Sequence, residues 1–144
     1  MNTQALNTQT LKTFFETLNQ ETTLQAFAEI YARDVYFKDP FNQTHGVPAV
    51  YEIFQEMYAK LDAPRFEVLE CVAMGQITYV KWRFIFCFKG KSEEQGFEGV
   101  SRMQYNDENK ISAHIDFWDA AEQVYEKIPL LGSIIRLIKR KIAK

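Results

Sequence analysis

The run Val80-Lys81-Trp82-Arg83-Phe84-Ile85-Phe86-Cys87-Phe88 alternates strictly, with Val80, Trp82, Phe84, Phe86 and Phe88 of one parity and Lys81, Arg83, Ile85 and Cys87 of the other. Residues two apart share a face of a strand, so this segment reads as a long strand with one aromatic face. A slip of one residue would turn all five large side chains to water, so its register is strongly specified. A face of that size has to be covered, and the rest of the chain supplies the cover.

Three helical stripes precede the strand. Leu11, Phe14, Phe15 and Leu18 recur at helical spacing, and Leu24, Phe27, Ala28 and Tyr31 follow in a second helix whose Thr22 and Gln25 have the spacing of a capping box. Val35, Phe37 and Asp39 share one face of a short strand stopped by Pro40. Pro48 suits the first turn of a third helix with Val50, Phe54, Met57 and Leu61 on one face, ended by Asp62-Ala63-Pro64. Strands are then expected over 65–73, 77–88, 94–105 and 111–118, separated by Gly75-Gln76, Lys89-Gly90-Lys91 and Asp107-Glu108-Asn109-Lys110. Helices first and a meander afterwards predict an α+β domain, a strongly curved antiparallel sheet closing as a cone around the N-terminal helices.

At 144 residues the chain suits one such domain, and 12 Phe, seven Tyr and two Trp exceed what a minimal core needs. The surplus fits either an aromatic pocket or a solid Phe-rich core. Cys71 and Cys87 fall in expected strands without metal-type spacing, His45 and His114 are far apart, and phosphate-binding glycine patterns are missing, so neither a metal nor a cofactor is expected. The start Met1-Asn2-Thr3-Gln4 lacks the basic and apolar character of a secretion signal, and a cytoplasmic location is expected.

The net charge of −2 hides an asymmetry: residues 1–126 carry 11 basic and 19 acidic side chains, whereas residues 127–144 carry six basic and none acidic. An acidic body is unsuited to nucleic acid, which needs a basic face on the folded domain. The sequence therefore divides into a domain over 1–126 and a basic amphipathic helix over 127–144. In that tail Leu131, Ile134, Ile135, Ile138 and Ile142 share one side, with Arg136, Lys139, Arg140 and Lys144 on the other and Lys141 on the apolar edge. Three placements fit residues 130–144: folded back on the domain, packed on a second subunit, or lying on an anionic membrane surface. The mixed outer strand face of Arg83, Ile85 and Cys87 offers a homodimer surface.

The stretch Tyr31 to Gly46 reads Tyr-Ala-x-Asp-x-x-x-x-Asp-Pro-Phe-x-Gln, followed by His45-Gly46. It resembles the pocket entry of ketosteroid isomerases and their nuclear-transport-factor-2-like relatives, a resemblance that extends in pattern over about residues 10 to 119. The run His-x-Asp-Phe-Trp-Asp at His114–Asp119 is similar to the last strand of SnoaL-like proteins, a branch that includes polyketide cyclases. The resemblance implies a cystatin-like α+β barrel, commonly dimeric, around a pocket for a small apolar carbonyl or polycyclic compound.

In the isomerases a carboxylate removes a proton α to a ketone while a Tyr and a protonated Asp stabilise the enolate oxygen. The base position falls here on Asp39, the tyrosine position on Phe14 and the acid position on Ser101. Two oxyanion donors are thereby lost, at about 2.7–4 kcal/mol each, and efficient steroid isomerisation is not expected. His114, Asp116 and Trp118 alternate on one face of the last strand, and with Asp39 from the short strand they suggest a shifted acid–base set, Asp39, His114 and Asp116, with Asp39 or Asp116 abstracting the proton and His114 donating a hydrogen bond or returning it. Phe14, Phe37, Phe54, Tyr58, Trp82, Phe84, Phe86, Ser101 and Trp118 are the expected pocket residues. Two readings stand at this stage: an isomerase or cyclase working by proton transfer, and a noncatalytic binding or dimerisation module recruited by its tail.

Overall fold

The computed structural model describes residues 3–123 and 129–143. Helices α1 (Thr3–Thr17) and α2 (Leu24–Ile30) lead into strand β1 (Tyr31–Lys38), the short β2 (Gln43–His45) and α3 (Val47–Lys60). Strands β3 (Leu61–Met74), β4 (Ile77–Phe88), β5 (Glu94–Tyr105) and β6 (Ile111–Phe117) follow, then α4 (Ala120–Gln123) and α5 (Pro129–Ile142). The six strands form one sheet in the order β2-β1-β6-β5-β4-β3. The boundary placed between residues 126 and 127 lies outside the described residues.

The meander β3 to β6 is antiparallel throughout, as its tight connections require. The sheet as a whole is mixed, because β1 enters beside β6 in the parallel sense. It fills the edge that the meander would otherwise leave open, and its inner side chains Val35 and Phe37 are fully buried. Local sequence does not determine that direction, since the partner strands are about eighty residues apart.

Three local differences from the sequence reading have physical causes. Thr23, not Thr22, caps α2 by accepting from the Ala26 N–H at 3.1 Å, while Thr22 Oγ1 accepts from the Asn19 N–H in the preceding turn. Tyr31 leaves α2 and opens β1 with an extended backbone (φ −97°, ψ 142°), a position that its β-favouring ring suits as well as a helical stripe. Asp62-Ala63-Pro64 does not separate α3 from a later strand. β3 starts at Leu61 and absorbs the break as a register shift, with Ala63 at φ 48° and Pro64 lacking a ladder donor.

The helices pack on the aromatic face of β4. Leu11, Phe15, Phe27, Val50 and Phe54 form one core with Val80, Trp82, Phe84 and Phe86. Edge strand β3 is tied to α1 where Glu16 Oε2 accepts from the Val68 N–H at 2.9 Å, at the second register shift of that strand. On the outer face Ile85 is also buried, lying between Arg65 and Gly96 in the register and flanked by the Arg65–Glu94 ion pair (3.0 Å).

Gly99 is set directly opposite Trp82, and the indole lies across it. A Cβ there would stand 2.5 Å from two atoms of the Trp82 ring and 3.1 Å from the Phe117 carbonyl oxygen. Gly99→Ala must displace the ring or the strand, and overpacking of this kind costs about 1–3 kcal/mol. A urea titration of Gly99→Ala should show that loss, whereas Gly90→Ala, with open space around it but a positive φ, should be affected only through its turn.

Candidate active site

The aromatic face of β4 is not fully covered by the helices. Between it, α3 and the end of β6 lies an open cavity of about 650 Å3, a size suited to a small organic molecule. Phe37, Phe54, Phe66, Trp82, Phe84, Phe86, Phe97 and Trp118 supply most of its wall, and Phe41 and Phe88 extend the wall toward the mouth. Two carboxylates, Asp39 and Asp116, interrupt the apolar surface, with Glu56 and Lys60 paired at 3.7 Å on α3.

Asp116 sits directly across from Ser101 in the β5–β6 register, so the two side chains project from the same face. Trp82 Nε1–H donates to Ser101 Oγ at 2.8 Å. Indole is a donor only, so the serine accepts there and gives its own proton to Asp116 Oδ1 in a short hydrogen bond. His114 Nε2 lies 2.6 Å from that same oxygen and donates to it. The opposite ring nitrogen, Nδ1, is then the acceptor for the Tyr31 hydroxyl at 2.8 Å, which sets the tautomer of His114.

Both branches of donors therefore end on Oδ1 of Asp116, which Ser101 and His114 reach directly. Oδ2 receives no hydrogen bond from the described residues, and Asp116 forms part of the cavity wall. His114 itself is 1% exposed and lies behind the wall rather than in it. Its ring is stacked on Tyr31 (5.9 Å, 8°) and met edge-on by Phe37 (4.8 Å) and Phe15 (6.0 Å).

Asp39 is held differently. Its Oδ1 accepts from the Phe41 N–H (2.8 Å), the Asn42 N–H (2.6 Å) and Asn42 Nδ2 (3.1 Å), and its Oδ2 accepts from Asn42 Nδ2 at 3.1 Å. That is an Asx-type turn, which builds the loop after β1 and leaves one edge of the carboxylate on the cavity. Phe14 lies outside the wall, among Phe15, Phe27 and Tyr31, and Tyr58 is buried in the core without lining the cavity. Ser101 is likewise behind the wall, joined to it through Trp82 and Asp116.

Tyr31 opens the stretch that resembles a pocket entry, but sequence pattern did not connect its hydroxyl to His114. Tyrosine and histidine stand 83 positions apart, and only the parallel pairing of β1 with β6 brings them together. Phe66 and Phe97 were missed as wall residues although each lies opposite Phe84 in its own ladder, a cross-strand signal that becomes readable once register is known. Among the described residues no group of His, Cys, Asp and Glu is arranged to hold a metal ion.

Burial holds the Tyr31 phenol well above its ordinary pKa, with the Asp116 charge adding to the effect. Burial also pushes Tyr58 up to about 12 and Tyr105 higher still.

The cone-shaped sheet and its helical cover are a ketosteroid-isomerase-like fold. Residues 11–114 match the SnoaL-like domain, and the chain belongs to that family. In fold it is similar to a nuclear-transport-factor-2-like protein of unknown function from Burkholderia pseudomallei K96243, with a TM-score of 0.71 at 14% identity over 86% of this chain and 96% of that one. A proposed SnoaL-like polyketide cyclase from Jannaschia sp. CCS1 gives a TM-score of 0.70 at 11% identity over 83% and 88%. A proposed isomerase of the SnoaL-like family from Agrobacterium tumefaciens C58 gives 0.66 at 20% identity over 83% and 99%. At such identities the likeness speaks for the fold alone. No curated protein sequence matches the chain.

Tyr31→Phe keeps the ring but leaves His114 Nδ1 buried without a donor. Chemical denaturation should show a loss of about 1–3 kcal/mol, the cost of an unsatisfied buried polar atom. A second expectation concerns alkaline pH. A tyrosine whose folded pKa is raised keeps its proton in the native state after the unfolded chain has lost it. Its stabilising contribution is therefore complete below pH 10 and is lost as pH climbs toward the folded value. Stability should fall between pH 10 and 12 by up to about 1.4 kcal/mol per pH unit for each such phenol, and Tyr58→Phe should make that fall shallower by one proton.

Proposed function

We propose that the cavity binds a small, mainly apolar compound carrying an activated carbonyl, and that Asp116 moves a proton on its α-carbon in an isomerisation or an aldol-type ring closure. The observation that carries this reading is the convergence of the Trp82–Ser101 and Tyr31–His114 hydrogen bonds on Asp116 Oδ1, at an otherwise aromatic surface. That arrangement orients the carboxylate and leaves Oδ2 for the substrate. Asp39, committed to its own turn, has less to offer as a base. His114 does not line the cavity, so it serves as a positioning residue that acts through Asp116.

The chemistry needs no added reactant. Oδ2 takes the α-proton as the C–H electron pair becomes an enolate. Either that enolate is reprotonated by Asp116 at a different carbon, which is isomerisation, or it attacks a second carbonyl carbon of the same molecule. The new C–C bond then leaves an alkoxide, which recovers the proton from Asp116.

The residues in the oxyanion positions limit the substrate. Phe14 has no donor and lies outside the wall, and the Ser101 proton is directed at Asp116. Without those donors the carbanion has to stabilise itself, which favours a 1,3-dicarbonyl or a conjugated polycyclic ketone over a simple steroid enone. The Jannaschia protein, named for polyketide cyclisation, lends support to that reaction class. The same missing donors favour the second reading, a binding module without turnover.

For the homodimer expected from the sequence, the outer sheet face offers Val72, Met74, Tyr79 and Phe117 among its exposed apolar groups, rather than the buried Ile85.

A panel of hydrophobic ketones and 1,3-dicarbonyls should be screened for thermal stabilisation, then followed by NMR for deuterium uptake at the α-carbon in D2O. Asp116→Asn should keep the ligand-induced stabilisation and lose about 10²–10⁴ of the exchange rate. Asp39→Asn should lose much less. Exchange that survives Asp116→Asn undiminished removes Asp116 as the base, and stabilisation with no exchange in the wild-type protein selects the binding module.

A further inference from the structure

Helix α5 contributes no described residue to the hydrophobic core. It is more amphipathic than α1 or α3, yet Ile134, Leu137, Ile138 and Ile142 are 48, 48, 50 and 77% exposed. At about 100° per residue these four and Ile135 fall within roughly 160° of the helix circumference, and Arg136, Lys139 and Arg140 fall on the opposite side. Leu131 and Lys144, assigned from sequence to the two sides, lie outside the described side chains.

We propose that α5 is an interfacial anchor, a helix that lies in the plane of an anionic lipid surface with its apolar stripe among the acyl chains. Its composition has the signature of such helices: a wide apolar stripe, a cationic polar face and a low overall hydropathy. From residue 127 to the end the chain holds six basic side chains and no acidic one. Each basic group near a negatively charged leaflet adds about 1 kcal/mol of attraction. Lys141, within the stripe, can reach the headgroups on its long stem. The helix has 14 residues, about 21 Å at 1.5 Å per residue, so it is too short to span a hydrocarbon core of about 30 Å. No helix among the described residues is long and apolar enough to cross a membrane.

Charge and exposure decide between lipid and the other occupants. Two α5 stripes packed together would set two segments of six positive charges each side by side. A stripe folded back on its own domain would be buried, whereas Ile134, Leu137, Ile138 and Ile142 are about half-exposed or more. An anionic bilayer satisfies the stripe and the charge together.

The cavity mouth supplies the second observation. Phe41 and Phe88 line it and are 51 and 47% exposed, an aromatic rim open to the surroundings. Gln123 is also part of the wall, and α5 begins only six residues later, within about 21 Å of extended chain. A docked α5 therefore holds the mouth close to the bilayer, where an apolar ligand partitions. This delivery role rests on the cavity reading above; the anchoring does not.

The full-length protein is to be sedimented with large unilamellar vesicles of phosphatidylglycerol and phosphatidylcholine, and with phosphatidylcholine alone, at low and high salt. Binding is expected on the anionic vesicles at low salt, weakened by salt and absent on phosphatidylcholine. The double variant Ile134→Glu/Ile138→Glu should bind at least about tenfold more weakly while its melting temperature is unchanged. Asp116→Asn should bind as the wild type does, so a failed cavity reading leaves this result intact. Three outcomes overturn the proposal: no binding of the wild-type chain to anionic vesicles, equal binding by the double variant, or a dimer that the double variant dissolves with no vesicle binding in the wild type. The last would give the stripe to a second copy of the chain.

Discussion

A buried imidazole has two ring nitrogens to satisfy, and the way His114 satisfies them ties the ends of the fold together. Nδ1 takes the Tyr31 hydroxyl from the first residue of β1, and Nε2 donates to Asp116 on β6. Asp116 in turn receives Ser101 from β5, which receives Trp82 from β4. Four strands are thus linked by one unbranched chain of hydrogen bonds through the core. Leaving any of its atoms without a partner carries the desolvation cost of a buried polar group, so the network specifies the β1–β6 pairing in a way that apolar packing does not. The parallel register of β1 and the position of Tyr31 are two expressions of that constraint.

The cavity follows from the opposite circumstance, an apolar face larger than its cover. Phe84 and Phe86 stack at 5.2 Å along β4, and Phe66 and Phe97 flank Phe84 from the neighbouring strands. Helix α1 is tied to β3 at Val68, opposite Trp82, and α3 contributes Ile53, Phe54 and Met57 to the cavity wall. Trp118, tilted against Phe97 at 4.8 Å, closes one side without filling the space. Aromatic rings held by one another keep such a space open where flexible aliphatic side chains would relax into it. The same rings make it a place where a carboxylate is unusual enough to be informative.

How much of this was legible depended on the range of the signal. β4 and β5 were readable to the residue because alternation and turn residues act locally: Gly75-Gln76 and Lys89-Gly90-Lys91 bracket the aromatic strand on both sides. β2 was not, since Gln43-Thr44-His45 has no apolar alternation and exists only by pairing with Tyr36, Phe37 and Lys38. Tyr31 satisfied a helical stripe and a strand start equally well, and the hydrogen bond that decides between them reaches across 83 residues. Parity correctly put His114 and Asp116 on one face. It could not say that one lies behind the wall and the other in it, because alternation reports the face of a strand and not the depth at which each side chain ends.

The direction of the hydrogen bonds bears on what Asp116 can do. Both donors engage Oδ1, so a proton that arrives on Oδ2 disturbs neither of them. In the proposed reaction His114 keeps its tautomer and Ser101 its orientation while Oδ2 takes up and returns the proton. Had the donors been shared between both oxygens, each proton transfer would have required one of them to break or reverse. A site whose surroundings need no rearrangement at the moment of transfer carries less reorganisation cost, which is the advantage of donors fixed in advance. The scaffold accommodates unrelated activities, so the case for acid–base work here rests on this asymmetry at one carboxylate and not on the cone that surrounds it.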